Sequence, residues 1–239
     1  MNVDPRRALS FGGGAAAYAQ GRPSYPVGAV SAVLPPGARR VLDLGAGTGK
    51  LTTTLLGLGL EVVAVEPDDA MRALIDPRAR ALPGTAEQLP SIGSVDAVVV
   101  GQAWHWFDAP AALDSVRGVL RPGGTLGLLW NLLDDRDGWA KVLADAAQME
   151  DRLSYLDHAE VRPFEEPPDD FGPWERRVLE HTQVADAAKV LANLASRSTV
   201  LLLPADEREA LLARVAEQLP QGQFEVRYAC DTWWATRLG

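Results

Sequence analysis

Val41-Leu42-Asp43-Leu44-Gly45-Ala46-Gly47-Thr48-Gly49-Lys50 is the stretch on which the fold turns. An apolar run ends in a turn with glycine at every second position, and a helical pattern opens directly behind it at Lys50. Strand, tight turn and helix in that order begin a crossover unit, so the strand is expected in a parallel sheet. Open α/β sheets bind ligands at the carboxyl ends of such strands. Glycine there removes the Cβ that would hold a ligand away from the backbone. The motif alone does not choose the ligand.

The alternation continues outward on both sides. Upstream, residues 1–26 read as irregular because Gly12, Gly13, Gly14, Pro23 and Pro26 interrupt any period, and Val27, Val30 and Leu34 then show helical spacing until Pro35-Pro36-Gly37. Downstream, Lys50 to Leu58 reads as a helix, Glu61 to Val65 as a strand, and Asp68 to Ile75 as a helix with Asp68 as its N-cap. Arg80 to Leu82 is a short strand, Val95 to Val100 a buried one, and Asp108 to Leu120 a helix ended by Arg121-Pro122-Gly123-Gly124. Thr125 to Asn131 supplies a fifth strand, after which Pro163, Pro167, Pro168 and Pro173 break the rhythm. Residues 132–173 are therefore expected to be an insertion that contributes to a substrate pocket. Arg176 to Gln183 reads as a strand, Ala185 to Leu194 and Pro204 to Leu219 as helices, and about Gln223 to Arg237 as the last strand. In it Phe224, Val226, Tyr228, Cys230, Thr232 and Trp234 alternate with Glu225, Arg227 and Asp231, which predicts one buried and one wet face.

With 239 residues, 47% of them hydrophobic and 23% charged, the chain suits one large α/β domain spanning 1–239 and is neither disordered nor collagen-like. The formal net charge of −9 argues against an extended nucleic acid as partner. Cys230 is the single cysteine, which excludes an internal disulfide and a thiolate zinc site. Met1 to Phe11 carries Asp4, Arg6, Arg7 and Ser10 where a signal peptide needs an apolar run, and no stretch is long and apolar enough for a membrane span. A soluble cytoplasmic protein is expected.

The glycine turn distinguishes three ligand classes. A P-loop needs glycine where Leu44 stands and serine or threonine where Leu51 stands, so Gly49-Lys50 is a misleading match. A dinucleotide fingerprint needs a small residue where Lys50 stands. What remains is a loop that begins with an acidic residue, Asp43. A carboxylate there repels a pyrophosphate and suits a ligand with sulfonium and ammonium groups.

Three further motifs follow at the ends of successive strands: Val63-Ala64-Val65-Glu66-Pro67, Gly84-Thr85-Ala86-Glu87-Gln88-Leu89-Pro90, and Gln102-Ala103-Trp104-His105-Trp106-Phe107. With Val41 to Gly49 they resemble the class I S-adenosylmethionine-dependent methyltransferases, within them the small-molecule group that includes trans-aconitate methyltransferase-like enzymes. The resemblance covers roughly residues 10 to 131 well and the rest loosely. It implies a Rossmann-like, doubly wound α/β fold with a mostly parallel seven-stranded sheet and an antiparallel last strand. It also implies S-adenosylmethionine as cofactor and methyl transfer to a small-molecule acceptor.

The resemblance assigns roles residue by residue. Glu66, 21 positions beyond Gly45, accepts both ribose hydroxyls; its plainer reading is a solvated glutamate. Pro67 and Met71 flank the adenine, and Ala86 and Glu87 read its edge, against Glu87 as a helix-start charge. Asp43 orients the methionine amino group, against a turn cap. Gly45, Ala46 and Gly47 form the loop surface, and Gln102 and Ala103 complete the cofactor set. Tyr18 and Arg22 belong to a lid over residues 1–26, with Arg22 meeting the cofactor carboxylate in the closed state. His105 is a provisional catalytic residue near the transferable methyl, either a general base or an idle packing histidine. Trp106 and Trp130 line a substrate pocket, and Arg197 is available to a substrate carboxylate. No metal is expected, because His105, His158 and His181 lack ligand spacing.

Two other functions share these motifs: a tRNA or protein methyltransferase, disfavoured by the acidic balance, and a non-catalytic S-adenosylmethionine-binding protein. A nicotinamide-dependent oxidoreductase is disfavoured by Lys50. Whether the chain is a monomer or a homodimer is not written in the sequence.

Overall fold

The structure, a computed structural model, describes residues 21–136, 138–147, 149, 152–155 and 168–239. The described strands are β1 (Arg40–Leu44), β2 (Glu61–Val65), β3 (Arg80–Leu82), β4 (Val95–Gly101), β5 (Leu120–Leu133), β6 (Glu175–Ala185) and β7 (Phe224–Thr236). They form one sheet in the order β3-β2-β1-β4-β5-β7-β6. Pairing is parallel from β3 through β5. Against β5, β7 runs antiparallel: Gly123 N donates to Arg237 O, and Asp134 N to Arg227 O far along both strands. The mixed seven-stranded sheet expected from the resemblance is thus present.

The chain divides into two compact units. One holds residues 24–130, 163–179 and 230–239. Its helices are α1 (Val27–Ala32), α2 (Lys50–Gly57), α3 (Asp69–Arg72) and α4 (Ala109–Val119). Central strands buried on both faces need continuous apolar runs. Ala97 to Val100 in β4 meet this, each at most 1% exposed, and full burial of a valine stabilises by about 1.5–3 kcal/mol. One core, with Leu42, Leu44, Val98 and Leu126, lies on one face and packs against Ala112, Leu113 and Val116 of α4. Another, with Val41, Ala64, Val99 and Leu129, packs against Val30 and Leu55. The Asp108 side chain accepts from Ala111 N and caps α4. Asp68 caps α3 through Met71 N, though α3 is shorter than its predicted span.

Two expectations need correction. Arg121 to Gly124 was expected to separate helix from strand, yet β5 already begins at Leu120. Leu120 faces Val95 and Thr125 faces Ala97, so the intervening residues leave the register of β4. Gly123 leaves extended backbone at φ +76°, and the segment stays on the sheet because Gly123 N donates to Arg237 O and Gly124 O accepts from Arg237 N on the other edge. In β7 the wet face fails from Tyr228 onward, where Asp231 is 5% exposed. An interior strand has both faces covered, and Arg176 neutralises Asp231 with Nε at 2.8 Å and Nη2 at 3.1 Å.

The other unit holds the described residues from 21–23, 131–162 and 180–229. Its helices α5 (Gly138–Ala146), α6 (Ala187–Ala195), α7 (Ser198–Leu201) and α8 (Ala205–Ala216) surround a separate core. That core includes Leu143, Leu194, Leu211, Val215 and Val226. Asp186 caps α6 by accepting from Lys189 N. Of the expected insertion, α5 and a 3-10 turn, Leu153–Tyr155, are described, and the turn is tied down by Ser154 N donating to Asp135 at 2.9 Å. Among the described residues, no helix is long and apolar enough to cross a membrane.

Candidate functional site

The strand order reverses between β1 and β4: from β1 the chain steps outward through β2 and β3, then returns to the other side of β1. This switch point opens a crevice at the carboxyl ends of β1 and β4, the location where doubly wound sheets take ligands. Gly45 follows β1 and Gln102 follows β4. Gly45 has φ +70°, and a Cβ on it would lie 2.8 Å from Ala103 Cβ and 3.0 Å from the Phe107 ring. No L side chain fits there, which explains the glycine by both conformation and space. Gly45 N and Ala46 N donate to Val65 O at 2.9 and 3.1 Å, tying the loop to the end of β2.

Two buried carboxylates flank the loop. Asp43 is 1% exposed; its Oδ2 accepts from Thr52 Oγ at 2.5 Å, while Oδ1 is buried with no hydrogen-bond partner among the described residues. Burial pushes its pKa up to about 7, Thr52 opposes the rise, and the nearby Glu66 charge adds to it. Glu66 is 7% exposed and accepts backbone N–H groups with both oxygens, from Gly47 at 2.8 Å and Asp68 at 3.0 Å. Burial raises its pKa too, against the pull of those two bonds. Glu66 thereby clamps the glycine loop to the start of α3. Thr48, within the loop, likewise has a buried hydroxyl with no partner among the described residues.

The remaining expected cofactor residues in this unit are placed as follows. Pro67 is exposed, whereas Met71 is 5% exposed. Ala86 lies in the core, and Glu87 accepts from Asp108 N at 3.0 Å, so its carboxylate supports the start of α4. Gln102 has φ 58°, the only positive φ of a non-glycine among the described residues, and its N donates to Leu129 O. A non-glycine residue in that region stores strain of order 1–3 kcal/mol and commonly marks a functional site. A 3-10 turn, Trp104–Trp106, follows: Trp104 is buried edge-on to Phe107, and His105 is exposed with its ring 4.7 Å from Trp106. Trp106 and Trp130 are half-buried.

The expected sites outside this unit are more dispersed. Tyr18 lies outside the described residues, as does the lid before residue 21. Arg22 is half-buried in the other unit, as is Arg197, which lines a pocket there. Tyr25, at the end of the expected lid, is 7% exposed: its hydroxyl closes on Gly101, within 2.6 Å of where a Cβ would stand, and its carbonyl accepts from Thr54. Thr52, Thr48 and Phe107 were not singled out from sequence. Thr52 follows the loop one turn into α2, a position from which a hydroxyl reaches back to β1.

An orphaned acceptor on Asp43, an unpartnered hydroxyl on Thr48 and a glycine surface walled by Ala103 and Phe107 fit a ligand that carries a cationic amine on a slender chain. Unpaired buried polar atoms cost free energy until a partner arrives. Among the described residues, no group of His, Cys, Asp and Glu side chains converges as a metal site.

Residues 42–128 match the sequence family described as a methyltransferase domain. A relative from Mycobacterium tuberculosis, named an uncharacterized methyltransferase, is 46% identical over 217 residues, covering 89% of this chain and 86% of its own. Among solved structures, a putative type II methyltransferase from Anaeromyxobacter dehalogenans has a TM-score of 0.64 at 23% identity, over 90% of this chain and 97% of its own. A methyltransferase from Geobacter sulfurreducens, solved with S-adenosylhomocysteine, has a TM-score of 0.50 at 16% identity, over 97% and 98% of the two chains. Both structural likenesses concern the fold.

Proposed function

The chain belongs to the methyltransferase domain family as a class I, S-adenosylmethionine-dependent enzyme, and from that premise we propose that its acceptor is a small molecule. The single observation that carries the cofactor reading is the pair Asp43 and Glu66, two buried carboxylates flanking one glycine loop, the first with an oxygen left unpartnered. The trans-aconitate-like subgroup is not part of this conclusion.

S-adenosylmethionine, when bound, supplies a methyl group already activated by its sulfonium. The protein's task is alignment and exclusion of water. Asp43 takes the amino group, and the backbone of Gly45, Ala46 and Gly47 lies along the methionine chain. Glu66 accepts the ribose hydroxyls on lone pairs that Gly47 and Asp68 leave over. Pro67 and Met71 flank the adenine, Ala86 and Glu87 read its edge, and Gln102 and Ala103 complete the wall. Trp106 and Trp130 act on the acceptor side, with His105 the group that takes a proton there, and Arg197 is read by itself as a partner for a substrate carboxylate.

We read residues 1–239 as one methyltransferase domain, 132–173 as its insertion toward the acceptor, and 1–26 as a lid carrying Tyr18 and Arg22. Tyr25 is part of the core, so the proposed lid does not include it. The acidic chain with its single cysteine is read as cytoplasmic. The test is incubation with methyl-labelled S-adenosylmethionine and fractionated extract. Label in a small product is expected. Label only in tRNA or protein, or none despite tight cofactor binding, overturns the small-molecule reading.

A further inference from the structure

β6 is the last strand in the sheet order, with β7 on one side only, so its outer edge presents backbone N–H and C=O groups that no described strand takes up. At eleven residues it is long for an edge, whereas β3 at the opposite edge has three. Edge strands are commonly blunted by proline, by lysine or by shortness, and Glu175–Ala185 contains neither proline nor lysine. Its outer face also carries Val178 and Val184, 43% and 59% exposed, among the few large hydrophobics left uncovered in the described residues.

From Val178 to Asp186 exposure alternates strictly: the even positions are exposed, and Leu179, His181, Gln183 and Ala185 between them are covered. An antiparallel copy related by a two-fold axis through the sheet keeps each face on its own side, so even positions meet even positions. An axis at Glu180 sets two carboxylates opposite one another, one at Leu179 or Thr182 sets valine against glutamate, and one at Val178 leaves Val184 beyond the pairing. With the axis at His181, Val178 meets Val184, Glu180 meets Thr182 and Arg176 meets Asp186, each twice. The polar members keep atoms to spare among the described residues. Arg176 engages Asp231 through Nε and Nη2, Asp186 accepts from Lys189 N with Oδ1, and Glu180 accepts from Arg136 with Oε1. His181 on the axis is bonded to Asn131, and burial lowers its pKa toward the neutral form, so two cations do not meet there at neutral pH.

We infer that β6 is a homodimer interface, pairing antiparallel with β6 of a second copy about an axis at His181, so that each open edge satisfies the other. The occupant is a second copy because the strip is complementary to itself. Opposite charges meet at its ends, valine pairs lie inside them, and no like charges stand opposite one another on either face. Every residue invoked in the pairing lies on β6 or directly after it, so the strip is a property of one strand. The inference goes beyond the proposed function and does not depend on the methyl acceptor.

Sedimentation equilibrium of the full chain is expected to show a monomer–dimer equilibrium with a dissociation constant on the order of 10 µM, as suits a small interface built on one strand pair. Val178→Lys combined with Val184→Lys sets like charges opposite one another twice and is expected to weaken the dimer at least about tenfold. Val178→Lys combined with Val184→Glu sets opposite charges in the same register and is expected to dimerise at least about threefold more tightly than the paired lysines. Both positions are exposed, so the circular dichroism of these variants should match the parent. A monomer at about 100 µM, species larger than a dimer, or a dimer indifferent to the paired lysines overturns the inference. So does a lysine–glutamate variant that dimerises no better than the lysine–lysine one, because the register at His181 is then wrong.

Discussion

Thr52 donates its hydroxyl to Asp43 at 2.5 Å inside the core, and this bond engages one carboxylate oxygen while the other stays buried and unpartnered. A carboxyl in that position is poised between two protonation states, because its pKa is raised to about 7 mainly by burial. Without a cation it holds its proton through the acid range. A ligand ammonium favours the ionised form and expels that proton.

We predict that S-adenosylmethionine binding releases a proton near neutral pH and strengthens as pH rises through about 7. The sign for stability is opposite. The folded state holds a proton that the unfolded chain has lost above the ordinary aspartate value of 3.8, so ligand-free stability falls as pH rises from that value through about 7. Asp43→Asn removes both trends and weakens the cofactor about tenfold or more. Calorimetry in buffers of different ionisation enthalpy reads the proton; a pH-independent affinity in the parent protein sinks the assignment.

Glu66→Gln is predicted to weaken cofactor binding by about tenfold and also to lower stability by about 1–2 kcal/mol. The second effect arises because the amide keeps only one oxygen to accept from the Gly47 and Asp68 N–H groups. Thermal melts with and without cofactor separate the two losses. Unchanged affinity in the folded variant shows that the carboxylate serves the loop alone.

Gly45→Ala should cost about 1–3 kcal/mol, since the new Cβ meets Ala103 at 2.8 Å in a backbone with φ +70°. The expected signs are a lower urea midpoint with the same slope and reduced cofactor affinity. A variant as stable as the parent contradicts the tight approach of the two loops.

Arg176→Met leaves Asp231 buried without its cation, though Trp233 Nε1 still donates to it at 3.1 Å. We predict a loss of about 3 kcal/mol, and a smaller loss when Asp231→Asn is added, because the neutral amide needs no counter-charge. Denaturation of the single and double variants decides this. Additive losses sink the pairing argument.

His105→Gln should retain cofactor affinity and reduce turnover, as His105 is exposed beside Trp106 rather than part of the core. Turnover and its pH profile are the readouts. Both unchanged, the residue is only a neighbour of the tryptophan.

The sequence by itself determined whatever depends on near neighbours along the chain. The strand-to-helix steps, the Asp68 and Asp108 caps and the glycine turn are local chemistry, and they identified the parallel half of the sheet and the loops at its carboxyl edge. Tertiary structure alone decided the long-range pairings. Arg237 holds Gly123 and Gly124 in a strand that their own composition argues against, and Arg176 makes a buried Asp231 acceptable where alternation predicts a wet face. Backbone propensity and capping act over a few residues, whereas burial and charge pairing depend on which segments meet, and a single sequence does not print that meeting.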